Sequence, residues 1–386
     1  MSLKEDEASM PYTIEKKSLF ELLQKAYPIV PTKSSLQMLS NLKVSLAPGT
    51  IEFMATDLDH SIKVQGSIEG DGEAELAVNA RKLFEVVREL GEGPLTIRLD
   101  ENVLILESAD SFVCKIAGAD TQDFPLFPEV TDKKEVDIPL SFLKNMIQKS
   151  SFAVSRDETR ACLCGVLWEI DKKKTGMVAT DGHRLGRCLY RGEFGLPSAK
   201  KSIVSPKSML HIVRILSSDS EDPSVHVAIG EKYIVFTAEG VMLCSKLIEG
   251  PYPDYEKVIP KNNPKKAIIE RSLLQEAVRR VSVLSNQKTH LVKFVFRNDE
   301  LEIVVLNRDI GGEARQRIPI EYGGEEHTVG FNAAYLSEIL GIITSQKVRI
   351  EMSTQISACL LFPDTSEPES EDLFLIMPLR IMEEAG

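Results

Sequence analysis

The sequence predicts an α+β protein in which one unit is repeated three times along 386 residues, each unit laying two helices on one sheet layer. Three observations carry this. An apolar stripe at helical spacing recurs three times, each time shortly after an isoleucine. A second such stripe recurs three times after a capping residue. Short runs of strand-type residues fill the intervals.

The first helices come from Leu19, Leu22, Leu23 and Ala26, from Leu143, Met146, Ile147 and Ser150, and from Leu274, Ala277, Val278 and Val281, all spaced i, i+3, i+4, i+7. Ile14, Ile138 and Ile269 each stand five residues before a stripe and mark the strands that lead into it. The second helices open at Asn79, Ser205 and Asn332, good N-cap residues that directly follow the strand-like runs AELAV, KSIV and HTVGF. Their stripes are Leu83, Val86, Val87 and Leu90, then Met209, Ile212, Val213 and Leu216, then Leu336, Ile339, Leu340 and Ile343. From Leu19 to Leu83, Leu143 to Met209 and Leu274 to Leu336 the chain advances 64, 66 and 62 residues, so the unit recurs with little insertion.

Between and after the helices lie LKVSL, TIEFMAT and SIKVQGS, then GVLWEI and TGMVAT, then VKFVF and ELEIVVL. The pairs LTIRLD with VLILES, VHVAIG with YIVFTA, and VRIEMS with ISACLLF close the repeats as hairpins. Pro- and charge-rich segments, DFPLFPEVTDKKE and PDYEKVIPKNNPKK, separate three domains expected at 11–133, 134–261 and 262–386.

Composition agrees with several soluble domains: 43% of residues are apolar and 27% charged. No stretch approaches the eighteen or so apolar residues of a membrane helix. The opening MSLKEDEASM is charged where a secretory signal would be apolar, so a cytoplasmic protein is expected. Cysteines at 114, 162, 164, 188, 244 and 359 lack paired C-x-x-C spacing, which favours reduced, buried thiols over a zinc site.

The net charge of −12 argues against a nucleic-acid partner by its sum, but the distribution matters more. Acidic residues crowd into EGDGEAE, SDSED and TSEPESED, which read as loops. Off the apolar stripes, five of the six helices carry cations: Lys16, Lys17 and Lys25; Arg81, Lys82 and Arg88; Lys144 and Lys149; Lys207 and Arg214; Arg271, Arg279 and Arg280. One solvated helix face explains any single helix. Recurrence over five helices of a repeated unit points them at one shared axis.

The stretch MVATDGHRLGRC at 177–188 looks catalytic, with Thr180, Asp181, His183 and Arg184 around a glycine. TDLDH, with Asp57, Asp59 and His60, stands at the corresponding place in the first repeat, and Asp with His can hold a metal. The third repeat has LNRDIGG there instead, and the chain contains no H-E-x-x-H, P-loop or nucleophile-elbow motif. The alternative is a polar strand-to-loop turn copied by duplication, with no metal, cofactor or catalysis. A protein-binding scaffold without nucleic acid is the other competing possibility.

The three repeats, together with MVATDGHRLGRC, GPYPDYEKVIP and the near-terminal LIMPLRI, resemble the bacterial sliding-clamp family, the beta subunits of DNA polymerase III, from about residue 11 to 381. The resemblance implies three clamp domains per chain and a head-to-tail homodimer closed into a ring. Helices would line the hole around double-stranded DNA and sheets would face outward. It implies a processivity factor, not an enzyme. Replicative polymerase, clamp loader and repair polymerases would insert short apolar peptide motifs into a groove between the second and third domains. Carried over by position, the groove comprises Leu163, Thr180, Gly182, His183, Arg184 and Leu185, Pro253, Lys257 and Val258 of the linker, and Leu375, Ile376, Met377, Pro378, Leu379 and Arg380. For DNA contact it suggests the helices and adjacent loops, with Lys33, Arg156, Arg160 and Lys207 as candidates. The chain departs from the family pattern at Lys257, where arginine is frequent, and in the trailing MEEAG, an acidic tail expected to be disordered, the alternative being that it drapes across the groove.

Overall fold

The computed structural model describes residues 11–196, 198–216, 224–366 and 370–381; SDSED, the EPE of TSEPESED and the MEEAG tail lie outside the described residues. Six α-helices occupy the predicted places: α1 Lys16–Ala26, α2 Ala80–Glu89, α3 Leu140–Ser150, α4 Pro206–Ile215, α5 Arg271–Ser282 and α6 Ala333–Ile342. The stripes of α1, α3 and α5 are buried in full. In α2, Leu83 and Val87 are buried while Val86 and Leu90 are half-exposed, and in α4 Ile215 is buried where Val213 is not. The rotation follows from small residues that also face inward at the helix starts, Ala80 and Ser208. Asn79 and Asn332 cap as expected: the Asn79 side chain accepts from Lys82 N–H, and that of Asn332 from Ala334 and Tyr335 N–H.

The chain divides into two compact units, one built on residues up to Leu140 together with Lys207–Leu247, the other on Ser141–Pro206 together with residues from Ile248 onward. In the first unit a twelve-stranded antiparallel sheet runs, in spatial order, Tyr12–Glu15, Pro94–Asp100, Val103–Ser108, Val113–Ala119, Ala74–Asn79, Asn41–Ala47, Thr50–Thr56, His60–Ser67, Val241–Lys246, Tyr233–Ala238, Ser224–Ile229 and Lys134–Pro139. Strands of the first and second repeats meet inside it, His60–Ser67 against Val241–Lys246 with Ile62 opposite Leu243.

The second unit repeats that junction. Its eight-stranded sheet runs Lys200–Val204, Val166–Ile170, Lys174–Thr180, Arg184–Arg191, Glu371–Ile376, Cys359–Asp364, Lys347–Met352 and Lys265–Glu270. Here Arg184–Arg191 joins the terminal strand, Leu185 opposite Leu375. A four-stranded sheet, Gly312–Pro319, Glu300–Asn307, Leu291–Arg297 and His327–Asn332, completes the third repeat. The α5 and α6 stripes pack there on Phe294, Phe296 and Phe331, with Phe294 edge-on to Phe331 at 5.2 Å.

Three of the cations expected on outer helix faces are committed within the fold. Lys16 pairs with Glu92 at 2.9 Å, Lys149 with Asp372 at 2.7 Å, and Arg271 donates to the Ser345 and Leu340 carbonyls, closing the end of α6. Lys17, Arg81, Lys82, Arg88, Lys207, Arg214, Arg279 and Arg280 are exposed as expected. Cys188, Cys244 and Cys359 are buried thiols, but Cys114, Cys162 and Cys164 are half-exposed.

His211 of α4 makes stability depend on pH. It is 7% exposed, and its Nε2 lies 3.2 Å from the Lys25 carbonyl. Burial pushes its pKa down to about 4, helped by the charges of Arg214, Lys207 and His60 and opposed by the bond to Lys25. The unfolded chain therefore takes up this proton near 6.5, before the folded one does. The stabilisation is complete above that pH and is lost as pH falls toward 4. Between pH 7.5 and 5 the protein should lose about 2 kcal/mol more than His211→Gln does, read from urea midpoints; parallel losses would assign the pH dependence elsewhere.

Candidate functional site

In the stretch 180–184 the Thr180 and Asp181 side chains bond the backbone of the turn they belong to. Thr180 Oγ1 donates to the Arg184 carbonyl (2.7 Å) and accepts from Gly182 N–H (3.1 Å). Asp181 Oδ1 accepts from the N–H groups of His183 (2.9 Å) and Arg184 (3.0 Å). The first repeat makes the same four bonds. Thr56 Oγ1 reaches the His60 carbonyl (2.9 Å) and Leu58 N–H (3.0 Å), while Asp57 Oδ1 accepts from Asp59 (3.1 Å) and His60 (2.7 Å) N–H. The central residue is left-handed in both, Gly182 at φ 92° and Leu58 at φ 77°, a conformation that glycine adopts freely and leucine adopts under strain.

This register refines the sequence correspondence. His60 is the counterpart of Arg184, and His183 is the counterpart of Asp59. Asp57 meets His60 Nδ1 at 3.1 Å, and Asp181 meets Arg184 Nε at 3.1 Å. Burial alone would raise the Asp57 carboxyl, but hydrogen bonds from His60 and Lys207 hold it well below the usual carboxylate range. In the third repeat Asn307 keeps one bond of the set, accepting from Asp309 N–H. Among the described residues, no three His, Cys, Asp or Glu side chains gather as metal ligands do.

Beside it lies an apolar floor. Leu167, Val178, Leu185, Leu360, Leu373 and Leu375 cluster on one face of the eight-stranded sheet, with Tyr255 inserted from the linker and Ile248, Tyr252, Ile259, Phe362 and Cys162 at the margin. Two tyrosine hydroxyls fasten the linker down: Tyr252 accepts from Thr180 N–H (3.1 Å), and Tyr255 donates to Glu169 (2.8 Å). Burial raises both phenol pKa values, so both stay neutral. Pro253, Lys257 and Val258 remain exposed above, and Lys257 pairs with Asp254.

Most of the groove residues expected from sequence come together here. Leu163 is buried within the 3₁₀ turn Glu158–Cys164, His183 is exposed, and the His183 carbonyl accepts from Met377 N–H at 2.7 Å. Two lie behind the surface. Ile376 belongs to the α5–α6 core. Arg184 is 7% exposed, bonded to Asp181 and Glu338 and placed 4.3 Å above the Tyr335 ring. Pro378 and Leu379 are half-buried and Arg380 exposed, on a segment that leaves toward the four-stranded sheet, where Leu379 N–H bonds to the Gly330 carbonyl. The floor residues Tyr252, Tyr255, Leu360, Leu373 and Phe362 were not identified from sequence. Two tyrosines three apart in a proline-rich linker are the signal that could have found the first pair.

Among the four cations suggested for DNA contact, Lys33 and Arg156 are exposed and make no ion pair among the described residues. Arg160 bonds Asp157 (3.2 Å) and the Asp181 carbonyl (3.4 Å), which sets it against the groove turn. Lys207 pairs with Asp57 at 2.5 Å.

Three adjoining families match in order. The N-terminal domain of the DNA polymerase III beta subunit matches residues 10–128, the central domain 137–254 and the C-terminal domain 256–380. The beta sliding clamp of Pseudomonas aeruginosa is 30% identical, covering 96% of this chain and 100% of that protein; the clamp of Escherichia coli is 28% identical with the same coverage. Among solved structures, a P. aeruginosa DNA polymerase III subunit beta bound to griselimycin is 29% identical and covers 97% of this chain and 100% of its own, with a TM-score of 0.91. A Bacillus subtilis DNA polymerase sliding clamp is 25% identical with the same coverage and a TM-score of 0.89.

Proposed function

Because the chain belongs to the bacterial DNA polymerase III beta subunit family, the sliding clamps that serve as polymerase processivity factors, we propose that it works by enclosure and by docking rather than by catalysis. Two chains close head to tail around double-stranded DNA. Replicative polymerase, clamp loader and repair polymerases dock short apolar peptides in the groove beside Thr180–Leu185. The domains run 11–133, 134–261 and 262–386, and the protein acts in the cytoplasm. No helix among the described residues is long and apolar enough to cross a membrane.

One observation carries the docking assignment: Thr180 Oγ1 and Asp181 are spent on bonds within 180–184, and the adjoining leucine floor is roofed by a linker, with exposed Val258 (56%) and Met377 (37%) at its margin. Such a surface accepts an apolar anchor in a preformed pocket. Lys33, Arg156, Arg160 and Lys207 supply weak, sequence-independent attraction to phosphate. Two open strand edges supply the ring contacts. Gly312–Pro319 ends the four-stranded sheet near exposed Leu306 (58%) and Ile310 (63%), and residues 113–117 lack a neighbour on one side, beside exposed Phe112 (43%). Unpaired edges of this kind recruit another chain.

Griselimycin, the ligand of the P. aeruginosa structure, is the probe. Val258→Ala and Met377→Ala should each weaken its binding about 10-fold in calorimetric titration, since each removes apolar contact worth about 1–2 kcal/mol. Unchanged affinity in both variants would place the docking site elsewhere.

A further inference from the structure

We propose that the turn Lys172–Lys174 and its neighbours form a second, outlying contact for the phosphate backbone of duplex DNA, separate from the groove and from the helix cations. The inference rests on the clamp assignment, which supplies the duplex.

The cations come from three adjacent strands. Lys172, Lys173 and Lys174 sit on the turn between Val166–Ile170 and Lys174–Thr180; Arg191 ends the next strand; Lys200 and Lys201 begin the strand on the other side. The pairing places Lys174 opposite Arg191, and Ile170 opposite Lys200. Six carboxylates lie near these six cations, Asp254 and Glu256 beside Lys201 among them. Glu169 pairs with Lys201, Glu371 pairs with Arg191, Asp171 is used in the turn, and Glu193 is exposed. Lys172, Lys173, Lys174 and Lys200 make no ion pair among the described residues. The unpaired charge at the turn itself is positive, on a chain whose net charge is −12.

Two features mark the patch as more than a solvated loop. The backbone presents the lysines in a fixed fan: Asp171 Oδ1 accepts from Lys173 N–H (2.7 Å) and Lys174 N–H (3.0 Å), and Gly192 and Phe194 N–H bond the carbonyls of Lys173 (2.9 Å) and Lys172 (3.1 Å). Holding them so lowers the ordering cost on binding. Lys174 stands directly opposite Arg191, and like charges facing across a ladder are destabilising; Glu371 offsets the Arg191 side and leaves Lys174 without a paired counter-charge. A polyanion supplies that counter-charge. Duplex DNA offers about one charge per 1.7 Å of axis, twice the density of extended carboxylate residues at about 3.4 Å each, and suits several lysines at once.

The patch stands at the opposite end of the strand Lys174–Thr180 from the groove turn, about 20 Å away at the usual rise of a strand. A docked peptide and a DNA backbone can therefore be held together on one sheet.

The test is fluorescence anisotropy of the full chain with a short linear duplex over a salt series. The triple variant Lys172→Glu, Lys173→Glu, Lys174→Glu should bind at least about 10-fold more weakly at low salt and lower the slope of log affinity against log salt by about 2–3, since each lost phosphate contact removes about 0.9. The matching Lys→Arg triple should retain both, and griselimycin binding should be the same in all three proteins. An unchanged slope overturns the proposal. So does a lysine-dependent loss seen only with polyglutamate, which would make this a site for acidic protein, or only with single-stranded oligonucleotide. Linear duplex binding needs no ring closure, so failure here leaves the clamp assignment standing.

Discussion

Replacing Arg184 by alanine should destabilise the second unit by about 3 kcal/mol, because it strands the Asp181 carboxylate inside the fold. The two side chains are 8% and 14% exposed, and Arg184 also reaches Glu338 of α6 while its guanidinium lies over Tyr335 and 5.3 Å from the Phe152 ring centre. One side chain thus locks the second repeat's turn to the third repeat's helix. Lysine should recover only part of the loss, since it keeps the charge but not the planar fork that bonds two carboxylates and stacks between rings. Urea midpoints with the slope held fixed give the comparison. Griselimycin affinity should fall with stability, as the groove turn is what Arg184 holds. A loss below about 0.5 kcal/mol would mean the turn is fixed by Thr180 and the backbone bonds alone.

Much of the architecture was legible because helices advertise themselves locally. Stripes such as Leu274, Ala277, Val278 and Val281 need only one segment of sequence to be seen, and all four are buried. The strands that escaped detection share a physical cause. Arg184–Arg191 carries three arginines and Gly186, where a Cβ would stand 2.3 Å from the Lys149 carbonyl oxygen, so close packing against α3 replaces apolar alternation. Gly312–Pro319 is an edge strand with charges at 313, 315 and 317. Val241–Lys246 and Glu371–Ile376 are short, and each has one of its two partners in the preceding repeat, out of reach of any periodicity.

The groove was legible only in part for the same reason. Its turn is contiguous, but its floor brings Leu185, Leu360, Leu373 and Leu375 together through register across two repeats. Counting cations off the apolar stripe likewise overestimates the free positive face. Lys16, Lys149 and Arg271 point away from the stripe and still find acceptors within the fold.

The largest effect expected of this protein is kinetic. A protein gripping DNA through six to ten phosphates loses roughly 10³ to 10⁵ in affinity between low and moderate salt. The exposed cations here include several already paired, Lys207 with Asp57, Arg81 with Glu85 and Arg280 with Glu276, so fewer are free for phosphate than their number suggests. Enclosure does not need grip, because departure requires an interface to open.

The decisive measurement is retention after a high-salt wash on nicked circular duplex, onto which the protein has been loaded with a clamp-loader ATPase, before and after one restriction cut. Enclosure predicts that the protein stays on the circle through the wash and leaves within minutes once the circle is linearised. Equal loss from circle and linear form, or equal retention on both, would contradict it.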